Sequence, residues 1–216
     1  MRPRKQEGQS PLEFDLGRQQ AGSMPQAPIL IVSALRVMMR KLHLCGARQK
    51  GIRLEGMAKE FRVGHGFDVH RLVRGRKLFL AGLEIPHGKG LSGHSDADVV
   101  LHAIINALLG AIGEGDIGLH FPDTDPRYKG IASSKLLDRV LQIMRRKRFN
   151  LVNLDVTLLA QEPRLAPHYA AMRENMARQL KVGIDRVNIK ATTTEKLGWV
   201  GQGKGMAATA VVLLTR

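Results

Sequence analysis

The chain has 216 residues, 44% hydrophobic and 25% charged, which is room for one core, or one core with a tail, and excludes a multidomain assembly, a fibrous repeat and general disorder. Thirty-four Lys and Arg against 19 Asp and Glu leave +15, a balance that suits an anionic substrate, a membrane surface or nucleic acid. One Trp, two Tyr and six Phe offer bases little surface to stack on, which argues against nucleic acid, and the single Cys45 excludes an internal disulfide and a cysteine-built zinc centre, so any metal must be held by histidine and carboxylate.

In chain order, residues 1–56 stand apart. They carry 10 of the basic and 4 of the acidic residues, and residues 1–26 have no apolar periodicity. The run Ala27–Leu35 is too short for a bilayer, which needs about 20 residues, and Glu7, Glu13 and Asp15 ahead of it do not fit a secretory signal. Residues 1–56 are therefore expected to be a basic, flexible extension, or sequence ahead of a start at Met57. A transit peptide is the alternative; it would make a cytoplasmic protein a plastid one. No membrane contact is expected.

From Phe61 the pattern becomes regular. Strands are predicted at Phe61–Phe67 and Lys77–Ile85, then a helix over Asp96–Ala111 with Ser95 as N-cap and Asp98 completing a capping box. A second helix runs over Ser133–Arg148, with Leu136, Leu137, Val140, Leu141 and Met144 at helical spacing and a basic last turn. Strands at Asn153–Ala160 and Val187–Thr193 flank a helix over Pro167–Leu180, and Ala207–Leu214 is a last strand. Residues 57–216 thus read as one domain, an α/β or α+β sandwich of one sheet and one helical layer.

Two glycine patterns mislead. Gly113-Glu-Gly-Asp-Ile-Gly118 has dinucleotide-fingerprint spacing but follows a predicted helix instead of opening one. Gly198 to Lys204 resembles a P-loop, yet Gly205 stands where a hydroxyl should meet magnesium.

Asp68 and His70 are two apart, so they project to one side if this stretch is extended. His102 sits within an apolar helix, where an unpaired imidazole is costly. Two His and one Asp are a standard catalytic-zinc set with an open fourth position. Spacing alone equally allows a satisfied core histidine and a strand-end polar pair.

Four stretches then coincide: Gly64-His-Gly-Phe-Asp68-Val-His70; His94-Ser-Asp-Ala-Asp98; Gly115-Asp-Ile-Gly118 with Phe121-Pro-Asp-Thr-Asp125; and Ala191-Thr-Thr-Thr-Glu195-Lys-Leu-Gly198. In order and spacing, residues 61–215 resemble the 2-C-methyl-D-erythritol 2,4-cyclodiphosphate synthase family. The resemblance implies an α+β fold, with a single mixed β-sheet of about four main strands and helices on one face, assembled as a homotrimer with active sites between subunits. It implies a phosphorus–oxygen lyase of the non-mevalonate isoprenoid pathway. In that reaction the 2-phosphate of a CDP-linked methylerythritol attacks the β-phosphorus and expels CMP.

The same resemblance implies that Asp68, His70 and His102 bind zinc. Glu195 would help hold magnesium or manganese on the diphosphate, and His94 and Thr193 would stabilise the transition state. Substrate contacts are implied for Val69 and Ser95 beside the metal residues, and for Asp116, Ile117 and Gly118 with Phe121, Pro122, Asp123, Thr124 and Asp125 around the methylerythritol. Ala160, Gln161, Glu162, Pro163, Arg164, Leu165 and Ala166 would form the cytidine pocket, with Thr192, Thr194, Trp199 and Gln202 completing the contacts. Asn106 departs from the family's usual Asp one turn after the metal histidine, so a carboxylate supporting His102 is missing or replaced by a weaker acceptor, unless Asp98, one turn before His102, substitutes. Gln202 and Lys204 replace a common Arg and Glu near the trimer axis. A non-catalytic anion binder and a zinc hydrolase that activates water remain the readings from other classes.

Overall fold

A computed structural model describes residues 59–216; the expected extension over residues 1–56 and the start at Met57 lie outside them. Strand β1 (Phe61–Arg74) is followed by three short strands, β2 (Leu78–Leu80), β3 (Leu83–Ile85) and β4 (Lys89–Leu91). Helix α1 (Val99–Ile112), the one-turn α2 (Ile117–His120) and α3 (Ser133–Arg146) lead to β5 (Asn150–Leu159). Helix α4 (Tyr169–Leu180), β6 (Val187–Thr192), the short α5 (Gly198–Gly201) and β7 (Gly205–Thr215) complete the chain.

The main sheet has the order β4-β1-β7-β5-β6, with β5 and β6 parallel and the other pairs antiparallel. Four long strands and one short edge strand make the expected mixed sheet. Helix α1 lies against β1 and β7, α3 packs on α1, and α4 lies against β6. Twelve of the 14 residues of α1 are buried, the mark of a helix enclosed on nearly all sides. The other face of the sheet leaves Phe61, Val63, Phe67 and Val69 of β1 and Val211 of β7 exposed.

The contact of α1 with β1 is made backbone to backbone. A Cβ on Gly64 would lie 1.9 Å from the Ala107 carbonyl oxygen, and one on Gly66 would lie 2.0 Å from that of Ala103. Four helical residues advance about 6.0 Å and two strand residues about 6.6 Å, so alanines at i and i+4 keep step with glycines at i and i+2. The next helix-facing positions of β1 are Asp68 and His70, which brings His102 within their reach.

Three expectations are corrected. Lys77–Ile85 is a hairpin, not one strand: Ala81 (φ 53°) and Gly82 (φ 77°) turn left-handed between β2 and β3, as a two-residue hairpin turn requires. Helix α1 starts at Val99 because Ala97 is left-handed (φ 59°), so Asp98, not Ser95, is the N-cap, accepting from the N–H groups of Val100 and Leu101. Asp98 also accepts from Ala81 and Gly82 at 3.0 and 2.6 Å, binding the helix start to the hairpin turn. It makes no hydrogen bond to the His102 side chain, so its expected support for that residue is withdrawn. At the far end Gly113 (φ 69°) closes α1 as a left-handed cap, which confirms that the dinucleotide-like glycines follow a helix.

Gly66→Ala should force α1 away from the sheet, because the obstacle is backbone. We expect a loss of about 3 kcal/mol or more in denaturant unfolding.

Candidate active site

Asp68 and His70 face α1 from β1, and His102 meets them from the helix. Asp68 Oδ2 is 2.9 Å from His70 Nε2 and 2.9 Å from His102 Nδ1, and the two nitrogens are 3.0 Å apart. Among the described residues this is the cluster of His, Cys, Asp and Glu that could hold a metal ion. His70 Nδ1 lies 2.8 Å from the Ser92 carbonyl; a carbonyl only accepts, so that nitrogen carries the ring proton and Nε2 turns a lone pair inward. A carboxylate oxygen and imidazole nitrogen crowded into so small a space have every reason to share a cation, and hard-to-soft borderline Zn2+ suits the set.

Burial pushes the Asp68 carboxyl up, but its hydrogen bonds with His102 and His70 outweigh this and hold it well below the usual carboxylate range. Burial lowers His70, while the Asp68 hydrogen bond and charge more than offset it and leave the imidazole above its ordinary value.

The cluster opens on a cleft of about 510 Å³, walled by His94 and Ser95 on one side and by Ile117, Gly118, Phe121, Pro122 and Asp123 on the other, with Tyr128 and Leu136 behind. Phe121 and Tyr128 meet edge to face at 5.4 Å, giving the cleft an apolar wall. Arg76 donates to the carbonyls of Gly93 and Ser95 at 3.0 and 2.6 Å, fixing the loop that carries His94. Asp116 caps α2 by accepting from Leu119. Asp125 is held by Arg127 through both carboxylate oxygens, and the Arg127 hydrogen bond lowers its pKa. Neither it nor Thr124 lines the cleft. Asn106 accepts from the Ile117 N–H at 2.9 Å and so anchors this loop to α1 instead of supporting His102.

A second pocket of about 370 Å³ gathers Ala160 to Ala166 with Tyr169, Ala191, Thr192 and Thr193. Thr193 Oγ1 donates to Glu195 Oε1 at 2.9 Å, and Glu195 and Lys196 are both left-handed (φ 51° and 66°). Glu195 is not among the residues of the Asp68 cluster, and the Thr194 hydroxyl donates to the Leu197 carbonyl. Trp199, Gln202 and Val69 fall in a third cleft of about 650 Å³, with Arg71, Lys89 and Lys204. The residues that the resemblance gathers into one site are thus distributed by the structure over three clefts. The sequence reading missed Arg76, Tyr128, Tyr169, Asp96 and Ser133; Asp96 lies inside the His94–Asp98 stretch, while Ser133 had no signal beyond opening a helix.

A mixed sheet covered by helices on one face, with a cleft that opens on a carboxylate–imidazole cluster able to hold a metal ion, is an arrangement suited to an enzyme. The YgbB family pattern matches residues 61–215. The 2-C-methyl-D-erythritol 2,4-cyclodiphosphate synthase of Geotalea uraniireducens is 62% identical over 155 residues, 72% of this chain and 99% of that protein. The bifunctional IspDF of Campylobacter jejuni superposes with a TM-score of 0.71 at 44% identity, over 73% of this chain and 43% of that one. A 2C-methyl-D-erythritol-2,4-cyclodiphosphate synthase solved in a CDP-bound form gives 0.66 at 40% identity, over 71% and 99%. The chain belongs to the YgbB family, that of the 2-C-methyl-D-erythritol 2,4-cyclodiphosphate synthases.

A divalent cation bound at this cluster would compete with protons for the inward lone pair of His70. Affinity should be level at high pH and fall as pH drops through a value above the ordinary 6.5, about tenfold per unit for each proton taken up. Zinc titrations between neutral and acid pH check this; Asp68, held low, stays ionised throughout the range.

Proposed function

We propose that the chain converts 4-diphosphocytidyl-2-C-methyl-D-erythritol 2-phosphate to 2-C-methyl-D-erythritol 2,4-cyclodiphosphate and CMP. The observation that carries this is the Asp68–His70–His102 cluster at the mouth of a cleft, in a chain about 60% identical to named synthases. An oxygen of the 2-phosphate forms a bond to the β-phosphorus; the bond from that phosphorus to the α–β bridging oxygen breaks, and the oxygen leaves with CMP. The reaction is an intramolecular phosphoryl transfer, so the protein's work is to position two anionic groups and screen their charge.

Asp68, His70 and His102 would hold Zn2+, which when bound supplies Lewis-acid polarisation of a phosphoryl oxygen. Glu195 would serve Mg2+ or Mn2+, whose preference for hard oxygen ligands it meets. His94, on the loop fixed by Arg76, would offer a donor to developing phosphoryl charge, and Thr193 another. Phe121 and Ile117 would shield the methylerythritol while Asp123 accepts from its hydroxyls. The Ala160–Ala166 segment would receive the cytidine, with Arg164 near phosphate.

The cleft and the second pocket share no lining residue. Both stand at one end of the sheet, since Val69 and Leu159 each pair with Ala207, with β1 and β5 about two strand spacings, ~10 Å, apart. The exposed apolar face formed by Phe61, Val63, Phe67, Val69 and Val211 favours a homotrimer in which the cleft of one subunit meets the nucleotide pocket of the next. Two halves would then make one site.

Metal-loaded protein should release CMP and the cyclic product in equal amounts, and His102→Ala should reduce the rate by 100-fold or more, on the order of losing a principal electrostatic element. Oxygen-18 from solvent water entering the product would instead favour the hydrolase reading. Co-expressing His102→Ala with Thr193→Ala should restore about a quarter of wild-type activity if every site joins two subunits and they mix at random; sites built within one subunit would stay inactive.

A further inference from the structure

Behind His102 lies a buried polar chain that leads away from the cleft. His102 Nε2 is 2.9 Å from Ser133 Oγ and 3.1 Å from Ser95 Oγ. The three residues are 8%, 0% and 6% exposed. Ser133 Oγ donates to Asp96 Oδ1 at 2.5 Å, and the Asp96 carboxylate also accepts from the backbone N–H of Ser133 at 3.0 Å and of Asp98 at 3.2 Å. Asp96 is thus fixed by backbone from the starts of two helices.

The protons along this chain can be assigned in turn. A hydroxyl has one hydrogen, and the carboxylate takes that of Ser133. Toward His102 Nε2, Ser133 Oγ can therefore only accept. Ser95 Oγ accepts from the Ala97 N–H at 3.1 Å and lies 3.2 Å from Ser133 Oγ, the second lone pair of which receives the Ser95 hydrogen. The Ser95 hydrogen could by itself go to Nε2 at 3.1 Å, but a bare Nε2 would then face the Ser133 acceptor lone pair to lone pair at 2.9 Å. The arrangement that leaves no such contact puts the imidazole proton on Nε2. Nδ1 then turns its lone pair to Asp68 and His70.

We propose that Asp96 and Ser133 are positioning residues that hold His102 in the Nε2–H tautomer, so that Nδ1 is free to bind a divalent cation. The proposal rests on the metal reading of the Asp68–His70–His102 cluster and assigns that cluster a support neither in the cleft nor in contact with substrate. It places a hydroxyl between a metal-binding histidine and the carboxylate that usually orients such a ring directly. It also gives Asp96 the work that neither Asp98 nor Asn106 performs. Where a carboxylate fixes a working tautomer, its amide reverses the hydrogen bonds without emptying the space.

The test uses the full chain with 15N-labelled histidine, metal-free, at about pH 8, where an ordinary imidazole is neutral. Long-range proton–nitrogen spectra should show His102 as the Nε2–H tautomer. Ser133→Ala removes the acceptor and frees the Ser95 hydroxyl to donate to Nε2. Asp96→Asn presents an amide N–H to Ser133 Oγ and turns that hydroxyl toward Nε2. Both variants should shift His102 toward Nδ1–H and weaken Co2+ binding, followed by its visible bands, by about 10–100-fold. A wild-type ring that is Nδ1–H, or variants that keep the wild-type tautomer and cobalt affinity, would overturn the proposal. Ser133→Ala keeps the backbone N–H bond to Asp96, so it decides the matter if Asp96→Asn does not fold. Wild-type protein that takes up no cobalt would sink the metal reading, while the tautomer spectra would still decide the role of Asp96 and Ser133.

Discussion

At Gly64 and Gly66 strand β1 has no side chain to hold α1 away, and the helix answers with Ala103 and Ala107. The resulting backbone contact sets both the depth and the register of α1 on the sheet. His102 precedes Ala103 by one residue, and Asp68 follows Gly66 by two. The geometry of the cluster is therefore inherited from the packing of small residues, and each of the three groups that would share a cation stands on a strand or a helix. Rigid elements are the better platform for a site whose tolerance is a fraction of an ångström.

Around that contact the buried polar groups are matched, and each match joins elements distant in the chain. Asp98 takes four backbone N–H groups, two from its own helix and two from the β2–β3 turn. Arg76 reaches from the segment after β1 to the loop before α1. Asp96 ties the approach to α1 to the first turn of α3. These charges are held where they are because removing one partner leaves the other desolvated and unpaired, at a cost of about 1–3 kcal/mol or more. The same bonds that hold the fold also aim the cleft.

Much of this was legible in the sequence, for reasons that differ by element. The spacing of Asp68 and His70 and the isolation of His102 in an apolar helix allowed a metal cluster and a satisfied core histidine equally, because periodicity gives the face of each residue but not the distance between strand and helix; the resemblance decided between them. Helix α3 was readable from its apolar stripe. The hairpin was hidden because its turn uses Ala81 in a left-handed conformation, where Asn or Gly would have announced it. The start of α1 was misread for a related reason: Ser95 is a good cap by composition, but left-handed Ala97 moves the cap to Asp98. Ser133 looked like an ordinary helix-opening residue, and its bond to Asp96, 37 positions away, is visible only in three dimensions. The pocket of Ala160 to Ala166 was assigned to cytidine through resemblance alone, since Glu162-Pro163-Arg164 by itself is an ordinary connection.

His70 and His102 are 32 positions apart, and the hairpin, β4 and the loop carrying His94 all hang between them. A cation shared by these residues would be a removable clasp, closing a chemical ring around about a fifth of the domain. Ring closure lowers the entropy of the unfolded chain, and an ion that binds only the folded form adds its own binding free energy to stability. Heat resistance and catalytic competence would then draw on one supply, and a cell short of that ion would lose both together.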